Sequence, residues 1–285
     1  MTTTVGFVGL GNMGGALAAN VVRHGLPLVA YDAAGPERVP EGAVAAGSVA
    51  EVARETGVVV LSLPDGRTSG QVIREIAAVE GLAVTHVIDT STIGVAAAEV
   101  NAALLAAHGV SYVDAPVSGG PAGARARTLA VMYSGTDEAC AGAEPVLAAL
   151  TDRLHRVGDR AGPAQALKLA NNFLAATALA ATSEAVAFGV AAGLDMGTML
   201  EVLNASSGRN SATGDKFPNH VLTGTYAAGF GNTLMAKDVR LYLDAVAERG
   251  GATEMGEAVT SLWERFAKSE PGTDFTRIYP FIDRS

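Results

Sequence analysis

Apolar runs and polar punctuation alternate over the first half of the chain. Short β-branched or apolar stretches at Val5–Val8, Leu28–Tyr31, Val58–Leu63, His86–Asp89 and Tyr112–Asp114 are each followed by turn residues or by a helical pattern. Strands alternating with helices predict a parallel sheet, because parallel neighbours need a helix-sized crossover between them. After Gly162-Pro163 the strand signals stop, and a helical pattern runs unbroken from Ala164 to Ala192 until Gly193 ends it. At ~1.5 Å per residue that helix measures roughly 43 Å, more than one small domain needs, so it is expected to serve two neighbours. Further helical segments at Asp195–Ser206, Gly231–Arg249 and Glu254–Lys268 are separated by Gly- and Ser-rich turns. The expected architecture is a doubly wound α/β domain over residues 1–162 and an all-α domain over residues 163–285, joined by the long helix.

Composition narrows the classes. Of 285 residues, 49% are hydrophobic and 17% charged, with 34 glycines, which is the balance of a compact globular chain rather than a disordered one. A formal net charge of −9 without any run of Lys or Arg argues against nucleic acid as a partner. Cys140 is the sole cysteine, so neither an intrachain disulfide nor a cysteine-based zinc site is available; no metal is expected, and a reducing cytoplasm fits best. The start of the chain lacks the charged and long apolar segments of an export signal. Leu169–Ser183, bracketed by Lys168 and Glu184 and containing Asn171-Asn172, is expected to be too short and too polar to cross a membrane.

Val5-Gly6-Phe7-Val8 leads directly into Gly9-Leu10-Gly11-Asn12-Met13-Gly14, and a helical run over Gly15–His24 stops at Gly25. Strand, glycine turn and helix in this order form a Rossmann-type dinucleotide fingerprint. Gly9 permits the tight turn, Gly11 lets the backbone approach a pyrophosphate, Gly14 lets helix and strand pack closely, and the helix N-terminus faces the anion. The next strand ends at Asp32, 18 residues after Gly14. A carboxylate there accepts hydrogen bonds from a ribose 2′-hydroxyl and repels a 2′-phosphate, so NAD is the expected cofactor. Arg38 is close enough in sequence to hold a phosphate, which leaves NADP open; a solvated strand-end acid is the bland reading of Asp32. Leu63-Pro64-Asp65-Gly66 and Asp89-Thr90-Ser91-Thr92 also close strands, where a doubly wound sheet places its ligand. Helix capping is the alternative, with Thr92 or a neighbouring hydroxyl capping a helix that begins near Val95.

Two further segments carry candidate chemistry. Asp114-Ala115-Pro116-Val117-Ser118-Gly119-Gly120-Pro121-Ala122-Gly123-Ala124 follows a strand with a loop of small residues whose backbone amides, with the Ser118 hydroxyl, suit a carboxylate; a flexible connection is the other reading. At the start of the long helix, Lys168, Asn171 and Asn172 stand three and four apart on one face of a helix otherwise built from Ala, Leu and Phe. An amine among apolar neighbours loses solvation that favours its charged form, the condition under which a lysine exchanges protons near neutrality. A boundary lysine snorkelling to water, with two asparagines bonding across an interface, explains the same spacing. Lys237-Asp238 lies in a helical pattern after Gly229-Phe230-Gly231-Asn232-Thr233, and neighbours in sequence do not share a helix face, so a salt bridge between them is not the expected arrangement.

Taken together the segments resemble the β-hydroxyacid dehydrogenase family over nearly the whole chain, in four motifs standing in order. These are Gly9–Gly14 with Ala18, Asn20 and Gly25; Asp114–Ala124; Gly162–Asn172; and Gly229-Phe230 with Lys237-Asp238. The resemblance implies an N-terminal Rossmann domain, a C-terminal helical domain and an active site in the cleft between them. It implies an NAD-dependent exchange between a small β-hydroxy acid and its semialdehyde or keto form, of the 3-hydroxyisobutyrate dehydrogenase type. Tartronate semialdehyde reductase or another short-chain hydroxy-acid dehydrogenase is the alternative. Lys168 matches the family's catalytic lysine; Ser118, Gly119 and Gly120 match its carboxylate loop, and Asn172 a substrate position. Leu63, Pro64, Thr92 and Phe230 match cofactor contacts, and Lys237 a position near the nicotinamide. A homodimer or homotetramer assembled through the helical domain is implied as well. An imine reductase would usually lack the lysine at 168, and a catalytically silent nucleotide-binding protein would need neither Lys168 nor the Ser118 loop. Asn204–Tyr226 keeps a Ser-Gly-Arg theme at Ser207-Gly208-Arg209 but is otherwise undiagnostic, so the group that receives the substrate's tail stays unassigned.

Overall fold

The computed structural model describes residues 4–283. The chain divides into two compact units, Met1–Lys168 and Leu169–Ser285. In the first, β1 (Val5–Val8), β2 (Leu28–Tyr31), β3 (Val44–Ala45), β4 (Val58–Leu61), β5 (His86–Asp89) and β6 (Ser111–Asp114) lie parallel in the order β3-β2-β1-β4-β5-β6. The chain order reverses between β1 and β4, which is the switch point where a doubly wound sheet opens a crevice. Register keeps the strand ends level: Val8 pairs with Tyr31 and Leu61, Leu61 with Asp89, and Asp89 with Asp114. Every loop singled out in the sequence therefore leaves the sheet along one edge.

Alternation along each strand explains why both faces are covered. Val5, Phe7, Val58 and Val60 point into one core with Leu17 and Val21 of α1 (Gly14–Arg23) and with Ala143 and Leu147 of a helix over Asp137–Leu150. Val8, Val59 and Leu61 point into the other with Val52, Ile73, Ile76 and Leu105, carried by α2 (Val49–Glu55), α3 (Gly66–Ala77) and α4 (Val95–Ala106). Beyond β6 the sheet continues with strands that the hydrophobic pattern did not mark. β7 (Val117–Ser118) and β6 pair antiparallel to β8 (Ala130–Ser134), and β9 (Arg153–Gly158) runs parallel to β8. β7 is two residues long, and β9 carries Arg153, His155 and Arg156 on a half-exposed edge, so neither presents an apolar run.

After the short helix α5 (Gly120–Ala126) and α6 (Asp137–Leu150), α7 runs over Pro163–Ala191, and Gly193 with φ +89° turns the chain away. At 29 residues α7 extends past both charges that were expected to limit it, so by length and composition it is long and apolar enough to cross a membrane. Its Ala176, Leu179, Ala180 and Val186 are instead core residues of the second unit, where a buried helix gives the same signal. That unit also contains α8 (Met196–Asn204), a ten-residue π-helical segment (Ala212–Val221), α9 (Asn232–Glu248), α10 (Glu254–Ser269) and α11 (Ile278–Asp283). They pack around Phe217, Val239, Trp263 and Phe266, and Trp263 Nε1 donates to Ala176 O at 3.3 Å. The π-helical turn falls inside the segment whose sequence was undiagnostic, where Gly214 and Pro218 obscure helical periodicity.

Candidate active site

The three glycines of the first turn do separate jobs, visible from what a methyl group would meet. Gly9 sits at φ +93° with an added Cβ 2.4 Å from Ser62 O, and a Cβ on Gly14 would stand 1.9 Å from Gly9 O. Both positions exclude any side chain on steric grounds. A Cβ on Gly11 would meet nothing within 4 Å, so its backbone faces open space beside the N-terminus of α1. A cradle that is shut on the protein side and open on the other fits a dinucleotide phosphate.

Asp32 closes β2 with both carboxylate oxygens engaged. Oδ2 accepts from Leu10 N at 2.5 Å and Oδ1 from Ala34 N at 2.8 Å, while Arg38 Nε stands 3.8 Å from Oδ1. The acid thus holds the glycine turn from across the sheet as well as facing a cavity of about 410 Å³ lined by Tyr31, Asp32, Pro36, Val39 and Ala46. The neighbouring strand ends are held by bonds within the protein. Asp65 caps α3 by accepting from Thr68 N at 2.7 Å, whereas Leu63 N donates to Ser91 Oγ at 2.8 Å. The N-cap of α4 is Gly94, which has no side chain to cap with, and Ile93 N and Gly94 N donate to Gln165 Oε1 at 2.8 and 3.1 Å.

That contact belongs to a buried network at the foot of α7. Asp114 Oδ2 accepts from Gly162 N at 3.1 Å and Gln165 N at 3.0 Å, and Gln165 Nε2 donates to Asp114 Oδ1 at 2.7 Å and to Ser91 O at 2.9 Å. Ser134 Oγ donates to Asp114 Oδ2 at 3.2 Å and accepts from Ala164 N at 3.0 Å. Asp89, level with Asp114 on β5, accepts from Ser69 Oγ at 2.5 Å and from Tyr112 at 3.3 Å. Burial pushes the Asp114 carboxyl up to about 6 against the opposing effect of its hydrogen bonds, and burial also raises Asp89. Lys168, one turn beyond Gln165, is 8% exposed. That exposure is low for a lysine at a domain boundary, where a side chain reaching into water would show more. Ser118 ends β7, followed by Gly119 at φ +134° and Gly120 at φ +66°, so the loop takes a path that only glycines follow without strain. Sequence reasoning passed over Gln165 and the ionisation of Asp114; the signal was a lone amide one turn before Lys168 in an apolar helix.

In the second unit, Asn172 Nδ2 donates to Asp238 Oδ2 at 2.5 Å, and Asn171 Nδ2 donates to Asn172 Oδ1 at 3.1 Å. Lys237 Nζ reaches Asp238 Oδ1 at 3.0 Å, so the neighbouring residues do form an ion pair. The helical-face argument failed because the lysine stem is long enough to fold back over its own turn. Asp238 is 1% exposed, a buried carboxylate whose bond to Asn172 was not legible in the sequence pair Lys237-Asp238. Phe230 packs edge-on against Phe275 at 5.7 Å.

A doubly wound unit with a glycine cradle and a strand-end acid, followed by a helical unit, defines a nicotinamide-dependent oxidoreductase. Residues 4–158 match the family model for the NAD binding domain of 6-phosphogluconate dehydrogenase, and residues 162–282 that for NAD-binding of NADP-dependent 3-hydroxyisobutyrate dehydrogenase. The chain is 33% identical over 265 residues to 2-(hydroxymethyl)glutarate dehydrogenase of Eubacterium barkeri, covering 91% of this chain and 88% of that one. It is 33% identical over 293 residues to the mitochondrial 3-hydroxyisobutyrate dehydrogenase of Homo sapiens, covering 98% and 87%. Among solved structures, Mycobacterium tuberculosis 3-hydroxyisobutyrate dehydrogenase with L-serine superposes with a TM-score of 0.90 at 32% identity over 99% of both chains. The chain belongs to the β-hydroxyacid dehydrogenase family. It is an NAD(P)-dependent dehydrogenase acting on the CH–OH group of a β-hydroxy acid.

Proposed function

We propose that the substrate is a small acid of the form HOCH₂–CHR–COO⁻, oxidised to the corresponding semialdehyde, with NAD preferred over NADP. The molecules in the relatives' names, 3-hydroxyisobutyrate, 2-(hydroxymethyl)glutarate and L-serine, share that primary alcohol one carbon from the carboxylate-bearing carbon. The observation that carries the reading is Lys168, a largely buried lysine on the helix anchored to the strand edge where the glycine cradle opens. The 3-hydroxyisobutyrate type is favoured, and R is the open variable.

The backbone of Gly9, Leu10, Gly11, Asn12, Met13 and Gly14 would hold the pyrophosphate of the cofactor and Asp32 its ribose hydroxyls, with Leu63, Pro64 and Thr92 as further contacts; when bound, the cofactor would supply a hydride acceptor, or the donor in reduction. Ser118, Gly119 and Gly120 bind the carboxylate and so orient the carbinol carbon. Lys168 Nζ takes the hydroxyl proton in oxidation and returns it in reduction, a contribution of roughly 10²–10⁴ in rate. From the second unit, Asn172 is assigned to the substrate and Phe230 and Lys237 to the cofactor on family resemblance. Asp32 supports NAD because its carboxylate repels a 2′-phosphate; Arg38 beside it is the group through which NADP use would enter.

Assembly as a homodimer or homotetramer belongs to the same reading, supported by an exposed apolar row on α7 at Leu174 and Phe188, 65% and 77% exposed. A cytoplasmic setting is supported by the lone, buried Cys140. The deciding experiment measures oxidation of 3-hydroxyisobutyrate, 2-(hydroxymethyl)glutarate, L-serine and D-glycerate with NAD and with NADP. Lys168→Ala is expected to lower kcat by roughly 10²–10⁴ while leaving the dissociation constant for NADH unchanged. Wild-type kcat in that variant would remove Lys168 from the mechanism, and failure of every acid in the screen would sink the substrate class.

A further inference from the structure

A helix N-terminus leaves N–H groups without intrahelical partners, and a buried one must find them elsewhere. At α7 the solution is complete: Gly162 N and Gln165 N bond Asp114, Ala164 N bonds Ser134, and Pro163 has no N–H to satisfy. Gln165 adds a second layer. Its Oε1 accepts from Ile93 N and Gly94 N, and its Nε2 donates to Ser91 O and Asp114 Oδ1, so the whole hydrogen-bonding capacity of the amide is used inside the protein. The side chain is 0% exposed. An apolar residue would fill that volume without the cost of desolvating an amide, so filling space does not explain a glutamine here.

What the amide ties together does. Ser91 and Ile93-Gly94 flank Thr92; Asp114 heads the loop that carries Ser118; and Gln165 lies one helical turn before Lys168. We infer that Gln165 is a positioning residue which, through Asp114, fixes the first turn of α7 against the Thr92 and Ser118 loops and so sets the placement of the Lys168 amine. The inference rests on Lys168 as the proton-transfer group. Proton transfer needs heavy-atom distances held to a few tenths of an ångström, and a misplacement of about 1 Å costs on the order of 10²-fold. A rotation of α7 about its foot would move Lys168 by that much while leaving the glycine cradle and the sheet intact.

The test is a double-mutant cycle in the full chain. Gln165→Met keeps length and volume and removes the four side-chain hydrogen bonds while leaving the bond from Gln165 N to Asp114, and it is expected to lower kcat roughly 30- to 100-fold. In a Lys168→Ala background the same substitution is expected to change the residual kcat by less than about threefold, because a residue acting through Lys168 has nothing left to position. Equal fold-losses in the two backgrounds, or a kcat for Gln165→Met within about threefold of wild type, would overturn the proposal. A second variant covers the case in which Gln165→Met does not fold. Gln165→Glu keeps the acceptor for Ile93 N and Gly94 N but sets a carboxyl against Asp114, with Asp89 on β5 and Tyr112 on β6 as the other titratable groups around it. Its kcat relative to wild type is expected to rise as pH falls from about 8 to about 5.5, where a proton shared by the two carboxyls restores the lost donor. A flat ratio counts against the proposal. A Lys168→Ala enzyme with wild-type kcat would instead fault the mechanism itself, whatever the Gln165 variants do.

Discussion

A glycine can be required by the fold, by the ligand or by both, and the first turn holds one of each extreme. Gly14 leaves 1.9 Å between a hypothetical Cβ and the Gly9 carbonyl, and backbone cannot yield to that as a side chain would. Gly14→Ala is therefore expected to destabilise the protein by about 2–4 kcal/mol, seen as a drop of several degrees in Tm without ligand. Gly11→Ala meets nothing within 4 Å, so its Tm is expected to stay within a degree or two of wild type. Its affinity for NADH should fall by about tenfold or more, because the methyl stands where the pyrophosphate approaches. Calorimetry and fluorescence titration separate the outcomes; a Gly11→Ala protein that binds NADH normally would show that the pyrophosphate does not lie there. The distinction was already written in the order Gly9, Gly11, Gly14. By contrast, the hold of Asp32 on Leu10 N was not readable, because it depends on the register of β1 with β2 rather than on spacing along either strand.

At the scale of the element, α7 is the segment whose sequence said most and whose anchoring said least. Its length, its stop at Gly193 and the face shared by Lys168 and Asn172 follow from periodicity. The anchors come from Asp114, 48 residues before Gly162 in the chain, and from Ser134 and the Ser91–Gly94 turn, which only the closed sheet brings to the foot of the helix. The same non-locality hid β9, which its pairing with β8 rather than any apolar run of its own makes a strand, whereas β8 does carry an apolar run, Ala130-Val131-Met132-Tyr133, that the alternation read from the sequence left out. The burial of Asp114 has a measurable consequence. Burial pushes its carboxyl up to about 6 in the folded chain against 3.8 for a solvated aspartate, so the folded state binds the proton more tightly than the unfolded state. Stability from this group is thus fully present below the lower value and is lost as pH rises through about 6, a difference on the order of 3 kcal/mol. Denaturant unfolding of wild type and Asp114→Asn between pH 4 and pH 8 is expected to show the wild-type advantage shrinking as pH rises. A gap between the two proteins that is constant with pH would show that Asp114 titrates as an ordinary carboxylate.

At the scale of the whole molecule, part of α7 lies outside the buried clusters of the chain. α7 presents Leu174 and Phe188 outward at 65% and 77% exposure, with Ala181 midway between them on the same heptad spacing. A row of that kind on one helix matches the seam of a helix–helix contact, and the small residue at its middle permits close approach. The net charge of −9 opposes association at long range, so an assembly built here is expected to depend on the apolar row and to strengthen with salt, which screens the repulsion. Leu174→Glu with Phe188→Glu places two further charges in the row without touching a core position, since neither residue belongs to the buried cluster around Trp263. Sedimentation equilibrium is expected to give a dimer or tetramer for wild type and a monomer for the double variant, with Tm lowered only by the part that assembly contributed. A wild-type protein that sediments as a monomer at micromolar concentration would end the proposal. A double variant that keeps its oligomeric state would move the contact to another face.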